Sequence, residues 1–205
     1  MSGTKSHWEK IYETKKPEEV SWTQPVPATS LNLIRKLNLP KTSRIIDIGG
    51  GDSRLVDYLI DEGHTNLTVL DISGRALERA KARLGSRQRT VQWIVGDLTH
   101  FKLPSAYDLW HDRAAFHFLT SREDVEKYLT LLRKSVVPAG HAIIATFSTS
   151  GPKKCSGLTI TQYDEHSLAK LLLPDFTLIE SLTEDHVTPF GTKQNFLFCL
   201  FRKHI

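Results

Sequence analysis

The sequence predicts an α/β fold in which a mostly parallel sheet is covered by helices and includes one reversed strand. Apolar runs of strand length alternate with amphipathic helical stretches between residues 43 and 147, the pattern of parallel strands joined by crossover helices. The last two apolar runs have no helix between them, so those strands should be antiparallel. With 205 residues, of which 40% are hydrophobic and 24% charged, the chain suits a single globular domain.

Each predicted element follows from its apolar period and its end signals. Strands are expected at residues 43–48, 67–71, 90–95, 106–111, 141–147, 177–184 and 195–202. Helices are expected at residues 54–61, 73–84, 121–136 and 164–172. Ser73 is the predicted N-cap of its helix, and the stretch S-R-E-D that begins at Ser121 resembles a capping box. Residues 137–140 (VPAG) should turn the chain out of the third helix, and residues 148–162 should form a long polar loop.

Residues 1–40 precede the sheet and carry Trp8, Tyr12 and Trp22. We expect one domain over residues 1–205, with residues 1–40 as an N-terminal cap segment and residues 41–205 as the core. The aromatic side chains either cover a ligand at the edge of the sheet or pack as part of an N-terminal helix.

Composition argues against several classes of protein. The net charge is +4, and the basic residues are spread along the chain. We expect their densest stretch, residues 75–89, to form the solvated face of a helix, so the charge pattern does not indicate nucleic-acid binding. No apolar run reaches the length of a membrane span, and the first residues lack the apolar core of a signal peptide. The two cysteines, Cys155 and Cys199, form neither a disulfide framework nor a metal set. We expect a cytoplasmic protein without metal or membrane attachment, as a monomer or weak homodimer.

A glycine-rich turn marks the predicted ligand site. Residues 45–53 (IIDIGGGDS) run from a buried strand through Gly49, Gly50 and Gly51 toward a helix, and glycines let the backbone turn sharply and approach a ligand closely. A dinucleotide fingerprint requires a third glycine where this chain has Arg54, and no phosphate-binding loop of the G-x-x-x-x-G-K type is present. The turn therefore favours a ligand without a pyrophosphate.

Two acidic residues at strand ends refine this prediction. Asp71 ends the second strand, where a carboxylate can accept hydrogen bonds from both hydroxyls of a ribose. Asp97 follows the third strand and can accept from the exocyclic amine of adenine. The alternatives are local: Asp71 could cap the helix that starts near Ser73, and Asp97 could serve a turn after Gly96. Taken together, the three strand ends describe an adenosine site.

The motifs DIGGGDS, LDIS and GDL, in this order and spacing, resemble those of the class I S-adenosylmethionine-dependent methyltransferases over residues 41–203. The resemblance implies a Rossmann-like fold with a seven-stranded, mostly parallel sheet whose last strand is antiparallel. It implies S-adenosyl-L-methionine as the cofactor, with Asp47 and the glycine turn at its methionine part, Asp71 at the ribose, and Asp97 and Leu98 at the adenine. The complete implied cofactor set is Trp22, Asp47, Gly49, Gly50, Gly51, Asp71, Ile72, Asp97, Leu98 and Asp112.

The N-terminal segment carries a second resemblance. The pattern H-W-E-x-x-Y at residues 7–12, followed by V-S-W at residues 20–22, is similar to the opening of a branch that includes elongation-factor lysine methyltransferases and small bacterial enzymes. In that branch the segment folds over the cofactor. After the fourth strand, the lysine-methylating members often carry an acidic-Lys-Gly-Thr-Leu-Asp-like stretch, whereas this chain has Asp112-Arg113-Ala114-Ala115-Phe116-His117. This difference puts lysine methylation in doubt.

The stretch after the fourth strand supplies the candidate catalytic residues, His117 and Asp112. A histidine can act as a base near neutral pH, although His117 could instead pack under the following helix. Arg113 could bind an acidic acceptor or pair with a local carboxylate. The predicted acceptor is a small molecule that enters between residues 112–117, 148–162 and 186–194, with Trp22, Phe147 and Phe190 shaping the pocket. The alternatives are a protein (lysine) methyltransferase and a non-catalytic cofactor-binding module.

Overall fold

The computed structural model describes residues 2–101, 103 and 106–205, with side chains from residue 5 onward. The helices are α1 (Ser2–Thr14), α2 (Ala28–Lys36), α3 (Leu55–Asp61), α4 (Gly74–Leu84), α5 (Arg122–Ser135) and α6 (Glu165–Leu172). The strands are β1 (Arg44–Ile48), β2 (Asn66–Asp71), β3 (Val91–Val95), β4 (Tyr107–Arg113), β5 (Val136–Phe147), β6 (Lys154–Cys155), β7 (Leu158–Thr159), β8 (Phe176–Val187) and β9 (Lys193–Lys203). No helix in the described part of the chain is long and apolar enough to cross a bilayer.

Seven strands form one sheet in the order β3-β2-β1-β4-β5-β9-β8. The first five run parallel to one another, and β9 is antiparallel to both of its neighbours, β5 and β8. This confirms the predicted Rossmann-like sheet with an antiparallel last strand. The chain passes from β1 to α3 on one face of the sheet and from β4 towards α5 on the other, so a ligand crevice forms between the carboxyl ends of these two neighbouring strands.

Two segments differ from the sequence prediction. Residues 136–140 extend β5 instead of forming a turn, because Val136 pairs with Tyr107. The register between β4 and β5 then shifts, and the surplus residues of β5, which include Ala139 with its positive φ, take up the shift. The polar loop at residues 148–162 contains the hairpin β6–β7, which turns at Ser156 and Gly157, both with positive φ. The predicted N-caps are confirmed: Ser73 accepts from the Ala76 amide and Ser121 from the Asp124 amide.

The sheet is buried on both faces. One face packs against α5 and α6 through residues such as Trp110, Tyr128 and Phe201, and the other packs against α2, α3 and α4 through residues such as Leu31, Leu55 and Leu77. Trp110 donates its indole N–H to the Tyr128 hydroxyl over 2.8 Å, so these two buried rings have polar partners.

Helix α1 is attached to the N-terminus of α4 by one carboxylate. Glu9 accepts a hydrogen bond from the Gly74 amide (2.8 Å) and a longer one from the Arg75 amide (3.4 Å). These amides belong to the first turn of α4 and have no partner within the helix, so an external carboxylate stabilises them. The attachment places Trp8 and Tyr12 over the carboxyl ends of the parallel strands.

Candidate active site

A cavity of about 760 Å³ lies at the carboxyl ends of β1 to β4, beneath α1 and the segment at residues 17–27, which we call the strap. Most of the predicted cofactor residues line it, namely Trp22, Asp47, Gly49, Gly50, Asp71, Ile72, Asp97 and Leu98. Of the other two, Gly51 lies directly below the Tyr12 hydroxyl, and Asp112 is buried beneath the end of β4 outside the lining. Among the described residues, no group of three or more His, Cys, Asp or Glu side chains could hold a metal ion.

Two positions of the glycine turn require glycine. Gly49 has φ +62°, and an added Cβ would lie 2.6 Å from Cβ of Ala115. Gly51 has φ +50°, and an added Cβ would lie 2.7 Å from the Tyr12 hydroxyl. A side chain at either position would be strained and would push apart the walls of the cavity.

Arg83 on α4 holds the far end of this turn. Its guanidinium donates to the carbonyls of Asp52 (2.8 Å) and Ser53 (2.7 Å) and forms a bidentate pair with the Asp57 carboxylate (3.0 and 2.8 Å). Arg79, one helical turn earlier, lies 5.6 Å from the Tyr12 ring centroid. The prediction that residues 75–89 form only a solvated face is therefore wrong for these two arginines. The sequence pattern of a helix face does not show which of its arginines contact other parts of the protein and which are exposed.

Asp71 is the central carboxylate of the site. Its Oδ1 accepts from the Ser73 amide over 2.7 Å, and the Gly51 amide also donates to the carboxylate. Burial raises the pKa of Asp71 to about 7, against the opposing effect of these two amides. Asp71 thus has the local contact near Ser73 that the sequence offered as the alternative, and the same buried carboxylate also lines the cavity.

Asp97 also has a local partner and lines the cavity. Its Oδ1 accepts from the amide (2.9 Å) and the hydroxyl (2.7 Å) of Thr99. Partial burial acts to raise the pKa of Asp97, but the bonds from Thr99 and the nearby His100 outweigh it and hold the pKa below its usual value. Asp97 is therefore an ionised acceptor beside Leu98 at this end of the cavity.

At the glycine turn, Asp47 and His111 join β1 to β4. His111 Nδ1 lies 2.7 Å from Asp47 Oδ1, and its Nε2 lies 2.9 Å from the Ser30 hydroxyl of α2. All three residues line the cavity. The sequence did not indicate Ser30, because it is distant along the chain and carries no motif.

Asp112 and His117, the predicted catalytic residues, lie outside the cavity lining. Asp112 accepts from the amides of Ala115 (2.9 Å) and Phe116 (3.2 Å) and from the Tyr128 hydroxyl (2.8 Å), while burial raises its pKa to about 6. His117 is fully buried, its Nδ1 accepts from the Phe147 amide, and burial together with Arg113 lowers its pKa to about 3. In this geometry Asp112 shapes the loop, and His117 is a neutral packed ring.

The three segments that we expected around the acceptor each contribute to the lining. Residues 112–117 contribute Arg113, Ala114 and Ala115; residues 148–162 contribute Cys155; and residues 186–194 contribute Val187, Thr188 and Pro189. Two of the predicted pocket residues do not line it: Phe147 is buried below, and Phe190 is 60% exposed outside. Burial raises the pKa of Cys155 to about 12, so its thiol stays protonated.

Aromatic rings form a roof over the cavity. Trp8 of α1 meets Trp22 of the strap and Phe118 edge to face, with centroid distances of 5.5 and 5.1 Å. His186 on β8 anchors the strap through its Nε2, 2.7 Å from the Ser21 carbonyl. The aromatic side chains of the N-terminal segment thus pack around helix α1 and also cover the cavity. Both alternatives that the sequence left open, packing and covering, describe them.

Comparison with known proteins agrees with this architecture. Residues 45–140 match the family described as a methyltransferase domain. The chain is 27% identical over 106 residues to the eEF1A lysine and N-terminal methyltransferase of Mus musculus, which covers 51% of this chain and 15% of that protein. It is 32% identical over 114 residues to the malonyl-[acyl-carrier protein] O-methyltransferase of Anoxybacillus flavithermus, which covers 55% of this chain and 41% of that protein. The chain thus spans less than half the length of these curated relatives.

Solved structures share the fold over nearly the whole chain. A SAM-dependent methyltransferase from Anabaena variabilis has a TM-score of 0.78 at 16% identity, covering 99% of this chain and 94% of that one. The 1,6-didemethyltoxoflavin-N1-methyltransferase of Burkholderia thailandensis, solved with bound S-adenosylhomocysteine, has a TM-score of 0.73 at 19% identity, covering 100% and 88%. The fold is therefore one that S-adenosylmethionine-dependent methyltransferases have.

Proposed function

We propose that this protein transfers a methyl group from S-adenosyl-L-methionine to a small-molecule acceptor. The observation that carries the proposal is one roofed cavity with an adenosine-type end at Asp71 and Asp97 and a second end at Arg113 and Thr188. When bound, the cofactor supplies an electrophilic methyl group on a sulfonium. Such a transfer requires the two reactants to be held together and shielded from water.

The residues at the first end fit the cofactor. Asp71 is a carboxylate whose pKa burial raises to about 7, and the two hydroxyls of a ribose would add donors that stabilise its ionised form. Asp97 accepts from an adenine amine, and Asp47 offers a carboxylate to an ammonium group beside the glycine turn. A phosphate would meet these same carboxylates, so like-charge repulsion selects an adenosine without phosphates.

The chain's own contribution to the reaction is positioning and exclusion of water. The glycine turn and its Arg83 clamp hold one side of the cavity, and the roof of Trp8, Trp22 and Phe118 covers the other. Neither Asp112 nor His117 reaches the cavity, so the proposal requires no general base from them. A base is needed only for an acceptor that is protonated at the reacting atom.

The enclosed acceptor end favours a small molecule. Its wall is built from three separate segments, and the strap crosses above it, anchored by His186 and Arg113. This is the concave kind of site that surrounds most of a small ligand, and the volume of the whole cavity, cofactor end included, lies in the usual range of about 300–1,000 Å³ for small-ligand sites. The second candidate is a protein lysine or N-terminal amine, which the similarity to the mouse methyltransferase favours.

The test uses tritiated S-adenosylmethionine and a cell extract separated by size into small molecules and macromolecules. We expect label in the small-molecule fraction, together with release of S-adenosylhomocysteine. Asp71→Ala, which should bind the cofactor poorly, is the negative control. Label confined to protein bands would contradict the small-molecule proposal and favour the second candidate.

A further inference from the structure

We propose that Arg113 binds a carboxylate, or a similar planar oxyanion, on the methyl acceptor. This inference rests on the proposed small-molecule function and names its substrate class. It would make Arg113 a specificity-determining residue at the acceptor end of the cavity.

Two nitrogens of the Arg113 guanidinium have no acceptor in the part of the protein that the structure describes. Its Nη1 donates to the Trp22 carbonyl over 3.0 Å. Its Nε and Nη2 are buried and have no hydrogen-bond partner among the described residues. Nε–H and Nη2–H point from the same edge of the planar group, which is the edge that pairs with both oxygens of a carboxylate.

Burial makes the missing partner energetically important. An unpaired charge away from water is costly, and proteins pair or neutralise such groups. Burial lowers the pKa of Arg113 to about 10, so the group remains a cation at neutral pH. The wall of the cavity therefore contains a cation that an acceptor anion would neutralise on reaching it.

The neighbouring carboxylates do not take this role in the structure. Neither Glu184 nor Asp47 forms an ion pair with Arg113 within 4.0 Å; Asp47 is bonded to His111, and Gln24 donates to Glu184 over 3.0 Å. Glu184 does not line the cavity, whereas Arg113 does. Oε2 of Glu184 is itself buried without a partner, which makes Glu184 the competing explanation that the experiment must test.

The position of Arg113 assigns the anion to the acceptor. Arg113 ends β4 and lies over the Phe196 ring of β9, 4.4 Å from its centroid, which fixes the plane of the guanidinium. Its neighbours in the lining, Cys155 and Thr188, come from the segments beyond β5, on the opposite side of β4 from Asp71 and Asp97. Both free nitrogens are shielded from water, so an acceptor group that reaches them must displace a side chain of the wall.

The same cation disfavours the second candidate function. A lysine side chain or N-terminal amine that entered this end would bring a positive charge toward an unpaired guanidinium in a region of low dielectric. An anionic acceptor meets the opposite sign. Arg113 thus separates the two substrate classes by charge.

The experiment divides the small-molecule fraction of a cell extract on a strong anion exchanger at neutral pH. Each pool is incubated with the protein and tritiated S-adenosylmethionine. We expect labelled product from the retained pool. For Arg113→Gln we expect the amount of this pool that gives half-maximal rate to rise about ten- to a hundredfold. The rise should be smaller for Arg113→Lys, which keeps the positive charge but loses the paired N–H donors of the guanidinium.

Three controls separate contact with the acceptor from other roles. Affinity for S-adenosylhomocysteine, measured by calorimetry, should fall clearly less than affinity for the retained pool in both Arg113 variants, because towards the cofactor Arg113 acts only by holding the strap at the Trp22 carbonyl. Retained binding also shows that the variants fold. Glu184→Gln should leave the half-maximal amount of the retained pool within about threefold of wild type. Arg87→Gln removes an exposed arginine as the matched control.

Several results would overturn the inference. Labelling from the unretained pool alone would show that the acceptor is not anionic, while the small-molecule function would stand. Equal loss of S-adenosylhomocysteine affinity in Arg113→Gln would assign Arg113 to the cofactor, and a Glu184→Gln variant with the same defect would show an internal pair. Label found only in macromolecules would overturn both this inference and the proposed function.

Discussion

Asp47 and His111 are direct partners across β1 and β4, with Asp47 Oδ1 2.7 Å from His111 Nδ1. The contact joins the start of the glycine turn to the strand that carries Arg113, and Ser30 fixes the other ring nitrogen from α2. Three separate elements therefore set the position of the Asp47 carboxylate in the cavity. This carboxylate is our candidate partner for the ammonium group of the cofactor.

Replacing Asp47 with Asn should weaken the binding of S-adenosylhomocysteine. The substitution keeps the shape but removes the charge, and a charge-assisted bond contributes about 1.5–3 kcal/mol. We expect the Kd to rise about ten- to a hundredfold. Calorimetry with methylthioadenosine, which lacks the amino-acid part, provides the ligand control and should show no change. Equal weakening for both ligands would place Asp47 elsewhere in the site.

Cofactor affinity should depend on pH through Asp71. Its carboxyl has a pKa of about 7, raised mainly by burial, and only the ionised form accepts hydrogen bonds from both ribose hydroxyls. As the pH falls below about 7, the carboxyl takes up a proton, and the affinity for S-adenosylhomocysteine should fall by up to about tenfold per pH unit. Calorimetry between pH 5.5 and pH 8.5 (roughly centred on that pKa) measures it.

The Asp71 variants isolate this effect. Asp71→Ala should cost about 2–4 kcal/mol of binding free energy because two charge-assisted bonds are lost. Asp71→Asn should bind weakly and lose the pH dependence, since the titrating group is gone. A wild-type affinity that stays level across this range, or a slope that persists in Asp71→Asn, would contradict the assignment.

Glu9→Ala should loosen the roof of the cavity. The carboxylate caps the first amides of α4, and loss of such a cap costs about 0.5–2 kcal/mol, so the Kd for S-adenosylhomocysteine should rise about two- to thirtyfold. The core should stay folded, as near-ultraviolet circular dichroism would show. Glu13→Ala is the matched control on the same helix, because Glu13 is 54% exposed and pairs only with the Arg75 side chain. Similar effects in both variants would argue against the capping role.

Arg83→Gln should destabilise the protein and the glycine turn together. Arg83 is 23% exposed and holds two backbone carbonyls and the Asp57 carboxylate, so we expect the free energy of unfolding to fall by about 2–3 kcal/mol in urea titrations. Arg87→Gln, on the neighbouring turn, removes an exposed pair with Asp61 and should change it by less than about 0.5 kcal/mol. Equal stability of the two variants would refute the clamp.

His117→Asn tests whether this residue is catalytic. Its buried ring accepts from the Phe147 amide, so the variant should lose about 1–3 kcal/mol of stability. Because the ring lies outside the cavity lining, the rate of label transfer at saturating cofactor should stay within about threefold of wild type. A large loss of rate with unchanged stability and unchanged S-adenosylhomocysteine affinity would restore the catalytic role.

The fold and the residues that line the proposed cofactor end could be predicted because their signals are local. The alternation of strands and helices, the turn at Gly49–Gly51 and the acidic residues Asp71 and Asp97 all follow from short stretches of sequence. The sheet topology then brings consecutive strand ends to one edge. The N-terminal aromatic residues were also recognisable, although not the manner of their attachment.

The acceptor end could not be predicted in the same way, because it depends on which face each residue of β4 presents. Successive side chains of a strand point to opposite faces, and this register places His111 and Arg113 in the cavity while Asp112 turns toward Tyr128. The sequence showed all these residues at the mouth of the sheet and led to Asp112 and His117 as candidates. Only the register of β4 in the folded sheet decided which of these side chains line the cavity.

By itself, therefore, the sequence determined the α/β architecture and the strand-end residues that we propose bind adenosine, since strand period, glycine turns and strand-end carboxylates act within a few residues. The tertiary structure decided the contacts between distant segments: Glu9 on the first turn of α4, Arg83 on the glycine turn, Ser30 on His111, and the strap over Arg113. Such contacts have no local pattern, because the chain brings their partners together only when the sheet and its two helical layers have packed.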